Sequence, residues 1–143
     1  MHDEEIREML TRARTIAVVG LSDKPDRDSN SVAAYLLAQG YRIVPVNPAA
    51  HEILGERSYP SLSEIPAEVP VDIVDVFRRS EEVPPIVHQA IARGGVRAIW
   101  LQLGVRSPEA LAEARVRGIL TEEDRCLRIE HQRLGVPATP PVR

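Results

Sequence analysis

The stretch TIAVVGLSDKPDRDSNSVAAYLL, residues 15–37, decides how the rest of the chain is read. "TIAVVG" is a short β-branched apolar run, suited to a strand covered on both faces. Gly20 permits a tight turn, and a polar loop follows. From Ser31 to Gln39 the pattern becomes helical, with Val32 and Leu36, then Ala33 and Leu37, paired at i,i+4 before Gly40 ends the run. Strand, glycine turn and helix open a parallel βαβ sheet. The G-x-G-x-x-G of a dinucleotide loop is absent, because Ser22 and Pro25 stand where its second and third glycines fall.

Outward from this unit the alternation continues. "YRIVPVNP" reads as a second strand stopped by Pro48. Residues 49–71 carry Pro60, Pro66 and Pro70 and no long period; a brief strand near Glu52–Leu54 and a helical turn near Leu62–Ile65 are expected. "DIVDVF" is a strand. "SEEVPPIVHQAIARGG" is a helix with Ser80 as cap, acids in its first turn and early prolines. "RAIWLQ" is a strand, and "SPEALAEARVRG" a helix with Ser107 as cap. "GILTEEDRCLRIEHQRL" gives a last short strand and a short helix. Upstream, "DEEIREMLTRAR" aligns Ile6, Met9, Leu10 and Ala13 on one helical stripe, capped by Asp3. The chain is therefore expected to be a single α/β domain, a doubly wound parallel sheet of Rossmann-like form. The helix of residues 1–14 packs on a domain of residues 15–135, and residues 136–143 form a loose tail.

Composition sets the boundaries of function. Length 143 with 43% hydrophobic and 27% charged residues suits one soluble core. A net charge of -3 supplies no global field for nucleic acid. No apolar run approaches the ~20 residues of a membrane span. The acidic N-terminus lacks the features of a signal peptide, and Cys126 is the only cysteine, so a cytoplasmic protein without disulfides is expected. Lys24 is the only lysine among 18 cations, and Asn30 and Asn47 are the only asparagines.

Open parallel sheets bind ligands outside the carboxyl ends of their strands. That rule gathers Gly20, Ser22, Lys24 and Arg27 after the first strand, Val46, Asn47 and Pro48 at the second, Val76, Phe77, Arg78 and Arg79 after "DIVDV", and Gln102 after "RAIWL". Lys24, Arg27, Arg78, Arg79 and Arg106 crowd one edge of an acidic chain. The helix opening near Asn30 and Ser31 adds free N–H groups and a positive dipole end. An anion site results. About ten residues separate the first strand from its helix, against roughly two to six in such connections. A long lysine-bearing loop can wrap a phosphate that bare backbone cannot approach at Ser22. The second strand ends in neutral Asn47 and Pro48, not in the acid that holds an NAD ribose. NAD is disfavoured, and a ligand richer in phosphate fits better.

"TIAVVGLSDKPDRDSNSVAAYLLAQGYRIVPVNP", "ILG", "DIVDVFRRSEEVPPIVHQAI", "AIWLQLGV", "EALAEARVRGI" and "DRCLRIEH" together resemble the small stand-alone coenzyme A-binding domain proteins. They also resemble the N-terminal half of the succinyl-CoA synthetase α subunit. The resemblance runs in order from about Thr15 to about His131. One departure is "ILTEEDRC", where that family usually carries a more apolar strand. The resemblance implies coenzyme A or an acyl-CoA as ligand, with phosphates near Gly20, Ser22, Lys24 and Arg27. It places the nucleotide beside Val46, Asn47 and Pro48, the adenine or pantetheine side at Val76, Phe77 and Arg78, and the pantetheine exit at Gln102. The histidine phosphorylated in succinyl-CoA synthetase belongs to a further domain that this sequence lacks.

Other residues read more plainly. Phe77 either packs on adenine or finishes the core, and Trp100 is core. Arg78 and Arg79 point to opposite faces if the strand continues, so one of them meets phosphate. Cys126 is a small buried hydrophobe rather than a nucleophile activated by His131. Asp72 and Asp75 are strand-end polar groups, and His2, His51, His88 and His131 form no metal spacing. With no catalytic constellation, the expected role is a carrier, a sensor or the partner of an acyl-CoA enzyme. The rivals are a diverged NAD(P)-linked oxidoreductase and an interaction protein whose nucleotide site has decayed.

Overall fold

The computed structural model describes residues 1–138. Five parallel strands form one sheet: β1 (Thr15–Val19), β2 (Arg42–Val46), β5 (Ile73–Val76), β6 (Ala98–Leu101) and β7 (Leu120–Glu122). Their spatial order is β2-β1-β5-β6-β7. A small antiparallel hairpin of β3 (Glu52–Ile53) and β4 (Glu56–Arg57) stands apart. Five helices accompany the sheet: α1 (Asp3–Arg12), α2 (Asp28–Ala38), α3 (Val83–Arg93), α4 (Pro108–Val116) and α5 (Leu127–Arg133). The doubly wound parallel sheet expected from the alternation is the fold observed.

The strand residues sort by parity onto two cores. Ile16, Val18, Ile43, Ile73 and Trp100 face α1, α2 and α5. Ala17, Val19, Val44, Val74, Val76 and Leu101 face α3 and α4. Both faces are covered, which is why the central strands are apolar throughout. The crossover through α2 carries the chain from β1 outward to β2, whereas α3 and α4 carry it the other way from β5. The reversal lies between β1 and β5, and the crevice of such a sheet opens there. Pro45 is tolerated in β2 because β2 is an edge strand, and its carbonyl still accepts the Tyr59 N–H at 3.0 Å.

Several local expectations need correction. Helix α2 begins at Asp28, earlier than Ser31, so the loop is only Gly20–Arg27. Asp28 sits well at a positive helix end. Asp3 does not cap α1; His2 holds that position and donates its N–H to Glu5 Oε1 at 2.9 Å, while Arg133 binds Asp3. Ser80 does not cap α3 but opens a short 3₁₀ turn, Ser80–Glu82, and its Oγ accepts the Arg106 N–H at 2.9 Å. The hairpin partner β4 is not visible in a segment without period. Asp75 is no strand-end group: it lies inside β5 between Val18 and Trp100, with no exposure. Val136 is packed in the core and tied through its N–H to the His131 carbonyl, so it is not part of the loose tail expected from 136. Residues 139–143 of that tail lie outside the described residues. The short strand expected in "ILTEEDRC" forms as β7. Trp100 is fully buried, as expected, and donates its indole N–H to the Arg125 carbonyl at 2.8 Å.

Candidate functional site

The carboxyl rim at the β1–β5 junction is built around Gly20. Its φ is +85°, and a Cβ there would lie 2.8 Å from both the Phe77 carbonyl oxygen and Arg78 Cδ. Only glycine lets the first loop leave β1 this close to the end of β5. The Gly20 N–H donates to the Val46 carbonyl at 2.9 Å, and the Phe77 N–H to the Val19 carbonyl at 2.8 Å, so three strand ends meet here.

The loop is held from both sides by the two asparagines. Asn47 Nδ2 donates to the Leu21 carbonyl and Asn30 Nδ2 to the Ser22 carbonyl, each at 2.9 Å. Ser29 Oγ accepts the Ser22 N–H at 2.9 Å, and Ser22 Oγ accepts the Lys24 N–H at 3.1 Å. The two asparagines do meet at this rim, but both amides bind the loop itself.

Two cavities share Gly20 as a wall. One, about 410 Å³, is lined by Ser22, Lys24, Arg27 and Phe77 together with Asp28 and Ser29 at the start of α2. The other, about 370 Å³, lies on the α3 side between Val46, Pro48, Leu62, Arg78, Glu82 and Ile86. The structure therefore brings Gly20, Ser22, Lys24, Arg27, Val46, Pro48, Phe77 and Arg78 to the crevice. Asn30, Asn47, Ser31, Val76, Arg79 and Gln102 line neither cavity. Ser31 Oγ bonds the Asp28 carbonyl, and Gln102 is buried with its Oε1 accepting the Leu127 N–H at 3.1 Å. Sequence reasoning misses the wall at 60–62 and the Glu81–Glu82 pair. Proline-rich chain without a period gives no sign of which rim it reaches.

The basic edge is smaller than the arginine count suggests. Arg78 pairs with Glu82 at 2.7 Å, Arg79 lies 3.5 Å from Glu81, and Arg106 is paired with Asp124 at 2.5 Å. Lys24 and Arg27 are exposed and, among the described residues, enter no ion pair. The hydrogen bond from Arg78 holds the Glu82 carboxyl below its usual range. A larger cavity, about 620 Å³, opens at the other end of the strands beside Val71, Asp72 and Arg93. Its charged groups are already engaged: Arg93 donates to the carbonyls of Ile65, Pro66 and Val69, and Asp72 Oδ2 accepts the Arg14 and Thr15 N–H groups. It offers an anionic ligand no unpaired cation, and the smaller rim does.

A family model described as CoA binding domain matches residues 14–132. The chain belongs to the CoA binding domain family. The uncharacterized protein YneT of Bacillus subtilis (strain 168) is 41% identical over 127 residues, 89% of this chain and 92% of that protein. A hypothetical protein from Pyrococcus horikoshii OT3 superposes with a TM-score of 0.88 at 42% identity, covering 94% of this chain and 92% of its own. The ADP-forming acetate–CoA ligase II of Archaeoglobus fulgidus is 30% identical over 93 residues, 64% of this chain but 14% of the ligase. The present CoA binding domain thus corresponds to a small part of that enzyme.

Within this CoA binding domain, His131 and Cys126 form no dyad. His131 Nδ1 lies 2.7 Å from the Tyr35 hydroxyl and its ring is edge-on to Tyr35 and Tyr41. Burial pushes the His131 imidazole down from its usual value. His88 meets Glu113 at 2.8 Å on the surface. Among the described residues, no helix is long and apolar enough to cross a membrane.

Proposed function

We propose that the chain binds coenzyme A or an acyl-CoA at the carboxyl rim of the sheet. The observation that carries this reading is the pair of unengaged cations, Lys24 and Arg27, beside the Gly20 and Phe77 walls at the β1–β5 junction. A diphosphate and a 3′-phosphate suit two free cations and the N–H groups at the start of α2. The adjoining cavity between Val46, Pro48 and Ile86 is apolar enough for a base or a pantetheine arm. Membership in the CoA binding domain family and the match to part of an acetate–CoA ligase support the same ligand class. Binding of this kind serves a carrier, a sensor or the partner of an acyl-CoA enzyme.

Calorimetry with coenzyme A, dephospho-coenzyme A, ADP, NAD and NADP tests this. Coenzyme A should bind tightest, and dephospho-coenzyme A less tightly. Equal or tighter binding of NAD or NADP returns the oxidoreductase reading. Silence with every nucleotide leaves an interaction protein.

A further inference from the structure

Arg78 stands at the junction of the two cavities yet spends its charge on the chain itself. Its Nη2 donates to Glu82 Oε1 at 2.7 Å, and Glu82 Oε2 accepts the Arg79 N–H at 3.3 Å. The 3₁₀ turn Ser80–Glu82 fixes that carboxylate four residues after Arg78, directly beyond the end of β5. The aliphatic stem of Arg78 crosses Gly20, with Cδ at 2.8 Å from where a Cβ would stand. Arg78 and Glu82 both line the α3-side cavity, which shares Gly20 as a wall with the cavity that Lys24 lines. Both side chains reach solvent, at 41% and 31% exposure, so the pair can open without unfolding its surroundings.

A carboxylate in this position does for the guanidinium what an incoming phosphate oxygen does. Resting on the coenzyme A reading, we propose that Glu82 is an internal competitor for Arg78, so that ligand phosphate engages Arg78 only by displacing the Glu82 carboxylate. Phosphate wins the exchange because it can offer two oxygens to the planar guanidinium fork, whereas Glu82 meets Arg78 through Oε1 and spends Oε2 on the Arg79 N–H. The consequence is a tempered affinity. A ligand with phosphate at this point breaks one ion pair to make another, and a ligand without phosphate leaves the pair intact. Glu82 therefore holds down the affinity for phosphate-bearing ligands alone and leaves uncharged adenine compounds unaffected, while Lys24 and Arg27 stay available for first capture.

The test is titration calorimetry of the wild type, E82Q, R78Q and the double variant with coenzyme A, ADP and adenosine. The amide oxygen introduced by E82Q can still accept the Arg79 N–H, but the charge is gone. An exposed ion pair of this kind is worth enough that E82Q should bind coenzyme A and ADP roughly two- to fivefold more tightly. Adenosine binding should not change, R78Q should bind coenzyme A more weakly, and the double variant should bind no tighter than R78Q. If the wild type binds coenzyme A and E82Q binds it equally or less well, the competition is overturned and the coenzyme A reading stands. A gain that persists in the double variant also overturns it, since the carboxylate then acts through the general field and not through Arg78. No coenzyme A binding by either the wild type or E82Q removes both.

Discussion

The two rims of the sheet contain similar chemistry in opposite states. At the amino rim, Arg93 and Asp72 surround the larger opening, and both are bonded to backbone. Arg93 closes the chain of residues 65–69 onto α3, and Asp72 takes two N–H groups at the entry to β1. At the carboxyl rim the openings are smaller, three arginines face their own acids, and Lys24 and Arg27 are left over. Cavity size and charge capacity thus point to different rims: the larger opening has its charged groups spent, and the smaller ones keep Lys24 and Arg27 unpaired among the described residues.

Gly20→Val attacks the carboxyl rim hardest. A β-branched residue at φ +85°, with its Cβ against the Phe77 carbonyl, combines backbone strain with overpacking. A loss of about 3–5 kcal/mol in stability is expected in urea unfolding. Coenzyme A binding should be lost even at low temperature where the variant remains folded. A variant with wild-type stability would show that the loop relaxes and that the rim is less rigid than its contacts imply.

Arg93→Ala is the matching attack on the amino rim. Removing a guanidinium from three carbonyls should cost about 2–4 kcal/mol of stability, because the freed oxygens are only partly reached by water. Coenzyme A affinity should stay within about twofold of wild type when measured well below the melting transition. A large affinity loss there would break the separation between the rims.

How much of this contrast is legible in the sequence depends on distance along the chain. Strands and helices announce themselves through apolar runs, periodic pairs and glycine stops, and the carboxyl-end rule then finds Gly20, Lys24 and Phe77 without any structure. The ion pairs that shrink the basic edge are another matter. Glu82 follows Arg78 by one turn and reads as a helix-start acid, while Asp124 reaches Arg106 across the end of the sheet. Asn30 and Asn47 do lie beside the rim loop, yet nothing in a single chain of letters separates a side chain that holds a loop from one that holds a ligand. Residues 60–62 are illegible for a simpler reason: they wall a cavity through an isolated bridge at Tyr59, not through a periodic element.

Lys24→Ala sharpens the comparison from the binding side. Lys24 is exposed, so its loss should leave the melting temperature within about 1 °C of wild type. Coenzyme A affinity should fall by about 1–3 kcal/mol, the worth of a charge-assisted hydrogen bond, and the remaining binding should depend less on salt. Unchanged affinity would transfer the phosphate role to Arg27 and α2.

A different kind of effect lies between the rims, where two buried ionisable groups pull stability in opposite directions with pH. Asp75 has no exposure and no partner for either carboxylate oxygen among the described residues, and burial pushes its pKa well above the usual value. Folding then keeps a proton that the unfolded chain releases from about pH 4 upward. The Asp75 contribution is present in full below that pH and is lost progressively as pH rises toward the raised folded value. For His131 the folded chain holds the neutral ring, whereas the unfolded chain takes a proton below about pH 6.5. Its contribution is present above that pH and is lost as pH falls toward the lowered folded value. Asp75→Val should therefore stabilise the protein increasingly as pH rises above about 4, and His131→Gln should flatten the acid limb alone. Urea unfolding across that range reads both slopes. Because neither group lines a rim cavity, the slopes should be the same in the Lys24→Ala background; a slope that changed there would mean that the charge at the carboxyl rim reaches the middle of β5.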